Sequence, residues 1–165
     1  MKEVKSTHIG AYAIIIRDDK IAVIKKATGG YTGKYDLPGG GIEHTETPIE
    51  ALHRECKEEI DTTVIKEELL DVTATNIKWK MQEDLIEDLH HIGILYITEI
   101  KEKELKDTPD GIDSNGGLWL EINKITKDNS SPFLWYSLNK LGYKLYNCKW
   151  YETKFMKKIK AIWYS

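Results

Sequence analysis

Residues 40–62 read GGIEHTETPIEALHRECKEEIDT, and this stretch carries the strongest local signal in the chain. Thr47-Pro48-Ile49-Glu50 sets an N-cap threonine before a proline at the first helical position, with a capping-box glutamate at the third. The spacing predicts a helix from Pro48 to about Ile60, with Ile49, Leu52, Cys56 and Ile60 in one apolar stripe. Glu55, Glu58 and Glu59 fall within about 100° of one another on that helix, beside the stripe rather than opposite it. Two carboxylates ~5.5 Å apart repel by about 3 kcal/mol at an effective dielectric of about 20, so three of them next to the core call for compensation. All-oxygen donors of this kind suit a hard cation, Mg²⁺ or Mn²⁺, rather than zinc. Such an ion neutralises a phosphoryl oxygen and acidifies a water that can attack phosphorus. Gly39, Gly40 and Gly41, just upstream, form a flexible stretch able to bring backbone close to a ligand, with a carbonyl available to the metal.

Working outward, residues 8–17 (HIGAYAIIIR) read as a buried strand, Asp18-Asp19-Lys20 as a turn, and Ile21–Lys26 as a returning strand. A Gly/Thr loop leads to a short extended piece at Asp36–Leu37, held extended by Pro38. Thr62–Lys80 reads as one or two strands and His90–Thr98 as another, near-continuously apolar and therefore central. Lys101–Gly117 is a long charged loop, and Leu118–Ile122 a short strand. Ser131-Pro132 starts a helix carrying Leu134, Leu138, Leu141 and Leu145; Phe155, Ile159, Ile162 and Trp163 mark a last helix. Strands and helices are mixed without strict alternation, which points to an α+β sheet covered by helices.

Taken alone, the run Arg54–Glu59 also reads as a solvated face with an Arg54–Glu58 pair. The wider spacing decides between the two. Gly40, five residues, Glu46, seven residues and then Arg54-Glu55-Cys56-Lys57-Glu58-Glu59 resembles the Nudix box, GX5EX7REUXEEXGU. At background frequencies of about 6–7% per residue type, such a match arises by chance about once in 10⁵ chains of this size. Asp61 stands where the family has glycine and Thr62 where an aliphatic is usual, while Cys56 is a modest departure at an apolar site. Aspartate tolerates the left-handed conformation of a helix end better than most residues, so the variation is local to that end.

The resemblance implies an α/β/α sandwich with a mixed sheet, one domain over residues 1–165, and Mg²⁺-dependent hydrolysis of a nucleoside diphosphate linked to another moiety. Position by position, Glu55, Glu58 and Glu59 are similar to the metal-binding glutamates and the Gly40 carbonyl to the backbone ligand. Arg54 then orients the glutamates and Glu46 ties loop to helix. Glu58 is the first choice for the general base. Asp113, six residues before Trp119, is similar to a late-loop acid of MutT-like members that serves as a further ligand or base. The family also contains prenyl diphosphate isomerases and catalytically inactive nucleotide-binding modules; no isomerase acid–base pair is evident outside the box, and all box glutamates are kept. The subfamily markers expected 15 to 18 residues after the box, a proline or a tyrosine, are absent from Ile77-Lys78-Trp79-Lys80.

The remaining features bound the partners. With 41% apolar and 31% charged residues over 165 positions, the chain suits one globular domain. A net charge of −3 argues against a general grip on nucleic acid. No apolar run approaches the ~20 residues of a membrane span, and the polar N-terminus lacks a secretory pattern, so a cytoplasmic protein is expected. The expected partner is a nucleotide-derived small molecule, with a homodimer left open. Tyr31, Tyr35 and Trp79 are candidates for stacking on a base, although aromatics near a sheet commonly serve packing. His90 and His91 must point to opposite faces of their strand. The lysines at 154, 157, 158 and 160 read as a solvated helix face.

Overall fold

Alternation of apolar residues along two strands sets the layers of the fold. The computed structural model describes residues 2–109, 111, 114–143 and 145. In chain order its elements are β1 (Lys2–Ile14), β2 (Ile16–Arg17), β3 (Lys20–Lys26), β4 (Tyr35–Asp36), β5 (Gly39–Gly41), α1 (Pro48–Ile60), β6 (Val64–Gln82), β7 (Leu85–Ile100), β8 (Ser114–Glu121) and α2 (Pro132–Lys140). On β1, Ala11 and Ala13 face one layer while Tyr12 and Ile14 face the other; Ala22 and Ile24 against Ile21 and Val23 repeat this on β3. The first set closes against Ala51, Leu52, Cys56 and Ile60 of α1, and the second against Phe133, Leu134 and Leu138 of α2. This is the α/β/α sandwich of an α+β chain.

One sheet runs β5-β1-β7-β6 and is mixed: β1 and β7 are parallel, and the other two pairings are antiparallel. β7 is central, as its apolar run predicts. The second sheet joins β2, β3, β4 and β8 in antiparallel pairs. Asp18 and Asp19, at φ 46° and 59°, make the tight turn between β2 and β3, the left-handed pair that suits a two-residue hairpin. Gly93 seats α2: a Cβ there would lie 2.8 Å from Phe133 Cε2 and Cζ, so the ring packs directly on the strand.

Several elements differ from the sequence expectations. β1 begins at Lys2 because KEVKST, with no apolar pattern of its own, is held in parallel register from Lys2 opposite Leu85. Gly39–Gly41 is not a loose stretch but a strand paired with Gly10–Tyr12. Ile49 is 43% exposed, outside the core that takes Leu52, Cys56 and Ile60. Thr62–Lys80 resolves as one strand, β6, and β8 starts at Ser114 rather than Leu118. Leu145 lies beyond the end of α2. The helix expected around Phe155–Trp163 and its lysines lie outside the described residues. Among the described residues no helix is long and apolar enough to cross a membrane.

Candidate active site

Helix α1 presents its acids because both of its ends are fixed. The Thr47 hydroxyl accepts the Glu50 N–H at 3.2 Å and Glu50 accepts the Thr47 N–H at 2.8 Å, so the capping box is complete. At the other end Asp61 adopts the left-handed conformation, φ 51° and ψ 45°, and its N–H reaches the carbonyls of Cys56 and Lys57. Aspartate thus takes the part that glycine plays in the box, and Thr62 is buried beneath it.

Between these ends the acid face meets the glycine strand. Glu59 is 2% exposed and accepts the Gly39 N–H on Oε2 at 2.8 Å. The Glu55 carboxylate fills the space over Gly40: a Cβ on Gly40 would be 2.7, 2.8 and 3.0 Å from Oε1, Cδ and Oε2. The Gly40 carbonyl lies 2.7 Å from where a Gly10 Cβ would stand, in a slot shared with the Tyr12 hydroxyl. Glu58 is half-exposed at the rim.

Arg54 ties these parts together. Its Nε and Nη2 donate to the two oxygens of Glu46 at 2.7 and 3.0 Å, a bidentate pair. Nη1 donates to Glu55 at 2.7 Å and Glu58 at 3.1 Å, and Nη2 also reaches the Gly41 carbonyl at 2.9 Å. The Arg54 hydrogen bond, helped by the Glu43 N–H, pulls the Glu46 carboxyl down to about 2; the same pairing pushes the Arg54 guanidinium up. One guanidinium therefore offsets the repulsion among Glu55, Glu58 and Glu46.

Among the described residues no three His, Cys, Asp or Glu side chains already converge in a ready-made metal cage. The donors do fit magnesium, which keeps several waters and takes one or two carboxylates together with substrate phosphates. Glu55 and Glu59 both lie against β5, and both press on the buried Cys56 thiol, whose pKa is raised first by burial and then by these two charges. Asp113 lies outside the described residues.

The acids open into a cavity of about 640 Å³. Its floor is His91, 5% exposed, which bonds the Tyr12 hydroxyl through Nε2 at 2.6 Å and the Tyr31 hydroxyl through Nδ1 at 3.2 Å. Burial, then His8 and Lys26, pushes His91 down to about 3, and burial raises both tyrosines, so the trio is uncharged. His90 points away and is exposed. Trp79, Glu87 and Leu89 form the far wall. Of the aromatics singled out in sequence, Tyr31 and Trp79 line the cavity, and Tyr35 packs against the α2 core. Sequence reasoning missed Tyr12, His8 and Glu87. Their only signal was alternation on strands whose register was unknown.

The NUDIX domain model matches residues 6–141. The ADP-ribose pyrophosphatase of Methanocaldococcus jannaschii is 32% identical over 114 residues, covering 69% of this chain and 62% of that protein. The RNA pyrophosphohydrolase of Saccharophagus degradans is 32% identical over 75 residues, covering 46% of this chain and 44% of that protein. The chain thus spans about two fifths to three fifths of the length of these relatives. Among solved structures, a MutT NUDIX hydrolase from Burkholderia pseudomallei superposes with a TM-score of 0.66 at 21% identity, covering 82% of this chain and 98% of that one, a likeness of fold.

Proposed function

The chain belongs to the Nudix family, and from that premise we propose that it hydrolyses a phosphoanhydride bond in a nucleoside diphosphate linked to another moiety, with Mg²⁺ or Mn²⁺ as cofactor. The observation that carries this reading is the packing of the α1 acids on the glycine strand at one end of a nucleotide-sized cavity. Glu55 and Glu59, with Glu58 and the Gly40 carbonyl, would hold the metal. When bound, magnesium supplies charge neutralisation at the phosphoryl oxygens and a more acidic water.

The chain's own residues do the rest. Arg54 fixes the directions of Glu55 and Glu58 by charge-assisted hydrogen bonds, and Glu46 in turn fixes Arg54. We assign Glu58, half-exposed at the rim, as the group that takes a proton from the attacking water; its exposure to solvent supports that reading. Asp113 is the second proposal for that base or for a further ligand.

A hydrolysis screen with Mg²⁺ over nucleoside triphosphates, nucleotide sugars, ADP-ribose, dinucleoside polyphosphates and 5′-triphosphorylated RNA tests the activity. Turnover of at least one diphosphate-linked compound is expected. Tight nucleotide binding without turnover of any of them would overturn it in favour of an inactive binding module.

A further inference from the structure

The end of the cavity lined by Trp79, Glu87 and Leu89 has a polar centre of its own. Glu87 on β7 accepts the Ser6 hydroxyl on Oε1 at 2.5 Å and the Trp79 indole N–H on Oε2 at 2.6 Å. Ser6 comes from β1 and Trp79 from β6, so the carboxylate is gripped from both neighbouring strands. A carboxylate has about four acceptor positions, and these two bonds leave about two for a ligand in the cavity that Glu87 lines.

Trp79 is held just as firmly. Gly30 lies against it so closely that a Cβ there would be 3.1 Å from Cδ1 and 3.3 Å from Cγ, and Leu89 borders the same wall. The indole and the aliphatic side chain together give this end of the cavity an apolar wall beside the carboxylate. Ser6 stands four residues before Gly10, which pairs with Gly41, so the Glu87 end is ~13 Å from the glycine strand at about 3.3 Å per residue. That span matches an extended nucleoside diphosphate with its phosphates at the α1 acids.

We propose that this end of the cavity is a base-reading subsite in which Glu87 accepts two adjacent N–H groups of a guanine-type base bordered by Trp79 and Leu89, selecting guanine over adenine nucleotides. The inference rests on the α1 face being the phosphate end. Guanine carries the N1–H and the N2 amine side by side on its pairing edge, a match for an acceptor-only group. Adenine sets the N1 lone pair beside its amine, so one carboxylate oxygen would face a lone pair and lose its water without gaining a donor. Sites built around a fixed hydrogen-bonding group reject such analogues strongly.

Calorimetry on the full chain with GDP, IDP and ADP, without added metal, tests this apart from catalysis. GDP should bind at least about tenfold tighter than ADP, and IDP, which lacks the N2 amine, should fall between them. Glu87→Gln, whose amide sets a donor beside an acceptor, should bring GDP and ADP to near equality. Equal binding of GDP and ADP by the native chain, IDP equal to GDP, or an unchanged ratio in Glu87→Gln each overturns the proposal; the first two need no variant to fold. Guanine-selective binding without hydrolysis would leave the subsite standing and remove the proposed activity. Hydrolysis without base preference would do the reverse.

Discussion

Replacing Gly40 by alanine separates the chemistry of the site from the stability of the fold. The new Cβ would stand 2.7–3.0 Å from the Glu55 carboxylate atoms, closer than real Cβ contacts allow, so the carboxylate has to move. It is the far end of a flexible side chain, and turning it off its rotamer costs about 0.5–1.5 kcal/mol. Glu55 also loses its hydrogen bond from Arg54 Nη1, but Arg54 stays anchored by Glu46 and the Gly41 carbonyl. The net destabilisation should be about 1 kcal/mol, a fall in melting temperature of ~2–4 °C for a domain of this size. Activity should respond far more, because a displacement of about 1 Å in a group that positions the reaction costs on the order of 10²-fold. Gly39→Ala is the contrast: Gly39 has φ 138°, and its Cβ would lie 2.2 Å from the backbone oxygen of Ala11, which cannot swing aside. That variant should fail to fold. Thermal melts with kcat/KM on whichever compound the screen identifies would measure both. Full activity in Gly40→Ala, or a melting loss equal to that of Gly39→Ala, would refute the reasoning.

Three further outcomes follow from the geometry. Asp61 sits in the left-handed region, so Asp61→Val should lower stability in urea titrations by about 1–2 kcal/mol while Asp61→Gly holds it; equal losses would contradict the capping role. Arg54→Lys cannot serve Glu46, Glu55, Glu58 and the Gly41 carbonyl together, so kcat and apparent Mg²⁺ affinity should fall about 10–100-fold with the melting temperature little changed; wild-type Mg²⁺ dependence would exclude the orienting role. His91 is pushed down to about 3 in the folded chain, whereas an unfolded histidine titrates near 6.5, so below that pH the unfolded state binds a proton that the native state excludes. The stability that His91 contributes is therefore complete above pH ~6.5 and is lost as pH falls toward 3, at up to about 1.4 kcal/mol per pH unit. Denaturant titrations between pH 7.5 and 5 should show that slope in the native chain and a shallower one in His91→Gln.

What could be read from the sequence follows the range of the interactions involved. Helix α1 is legible to the residue because its caps, Thr47, Glu50 and Asp61, bond to atoms within a few positions of themselves. The acid face is legible for the same reason, since 3.6 residues per turn fix where Glu55, Glu58 and Glu59 stand relative to one another. Even so, the helix alone does not say what faces those acids. The answer is Gly39–Gly41, and sequence reading took these glycines as loose because three of them in a row carry no strand propensity. They are a strand only because β1 lies beside them. There the missing side chains work as space: Gly40 receives the Glu55 carboxylate, and Gly10 receives the Tyr12 hydroxyl and the Gly40 carbonyl.

The far wall shows the limit more sharply. Ser6, Trp79 and Glu87 are separated by 73 and 8 residues in sequence; Trp79 stands out there as an aromatic, but nothing local joins it to the other two. They meet because β1 runs parallel to β7 with Val4 opposite Glu87, while β6 runs antiparallel with Trp79 opposite the same residue. A slip of one residue in either pairing would turn the slipped strand's side chains to the opposite face and dissolve the grouping. That register is set by the core at the other end of the strands, where Ala11, Ala13 and Tyr96 lie under α1 and Tyr12 and Leu95 lie under α2. The box motif thus reaches the acid end of the cavity directly, through a helix. It reaches the Glu87 end only through ~13 Å of sheet whose alignment depends on packing elsewhere. Two chains that share the box can therefore share their chemistry at α1 and differ in what they bind at the position of Glu87.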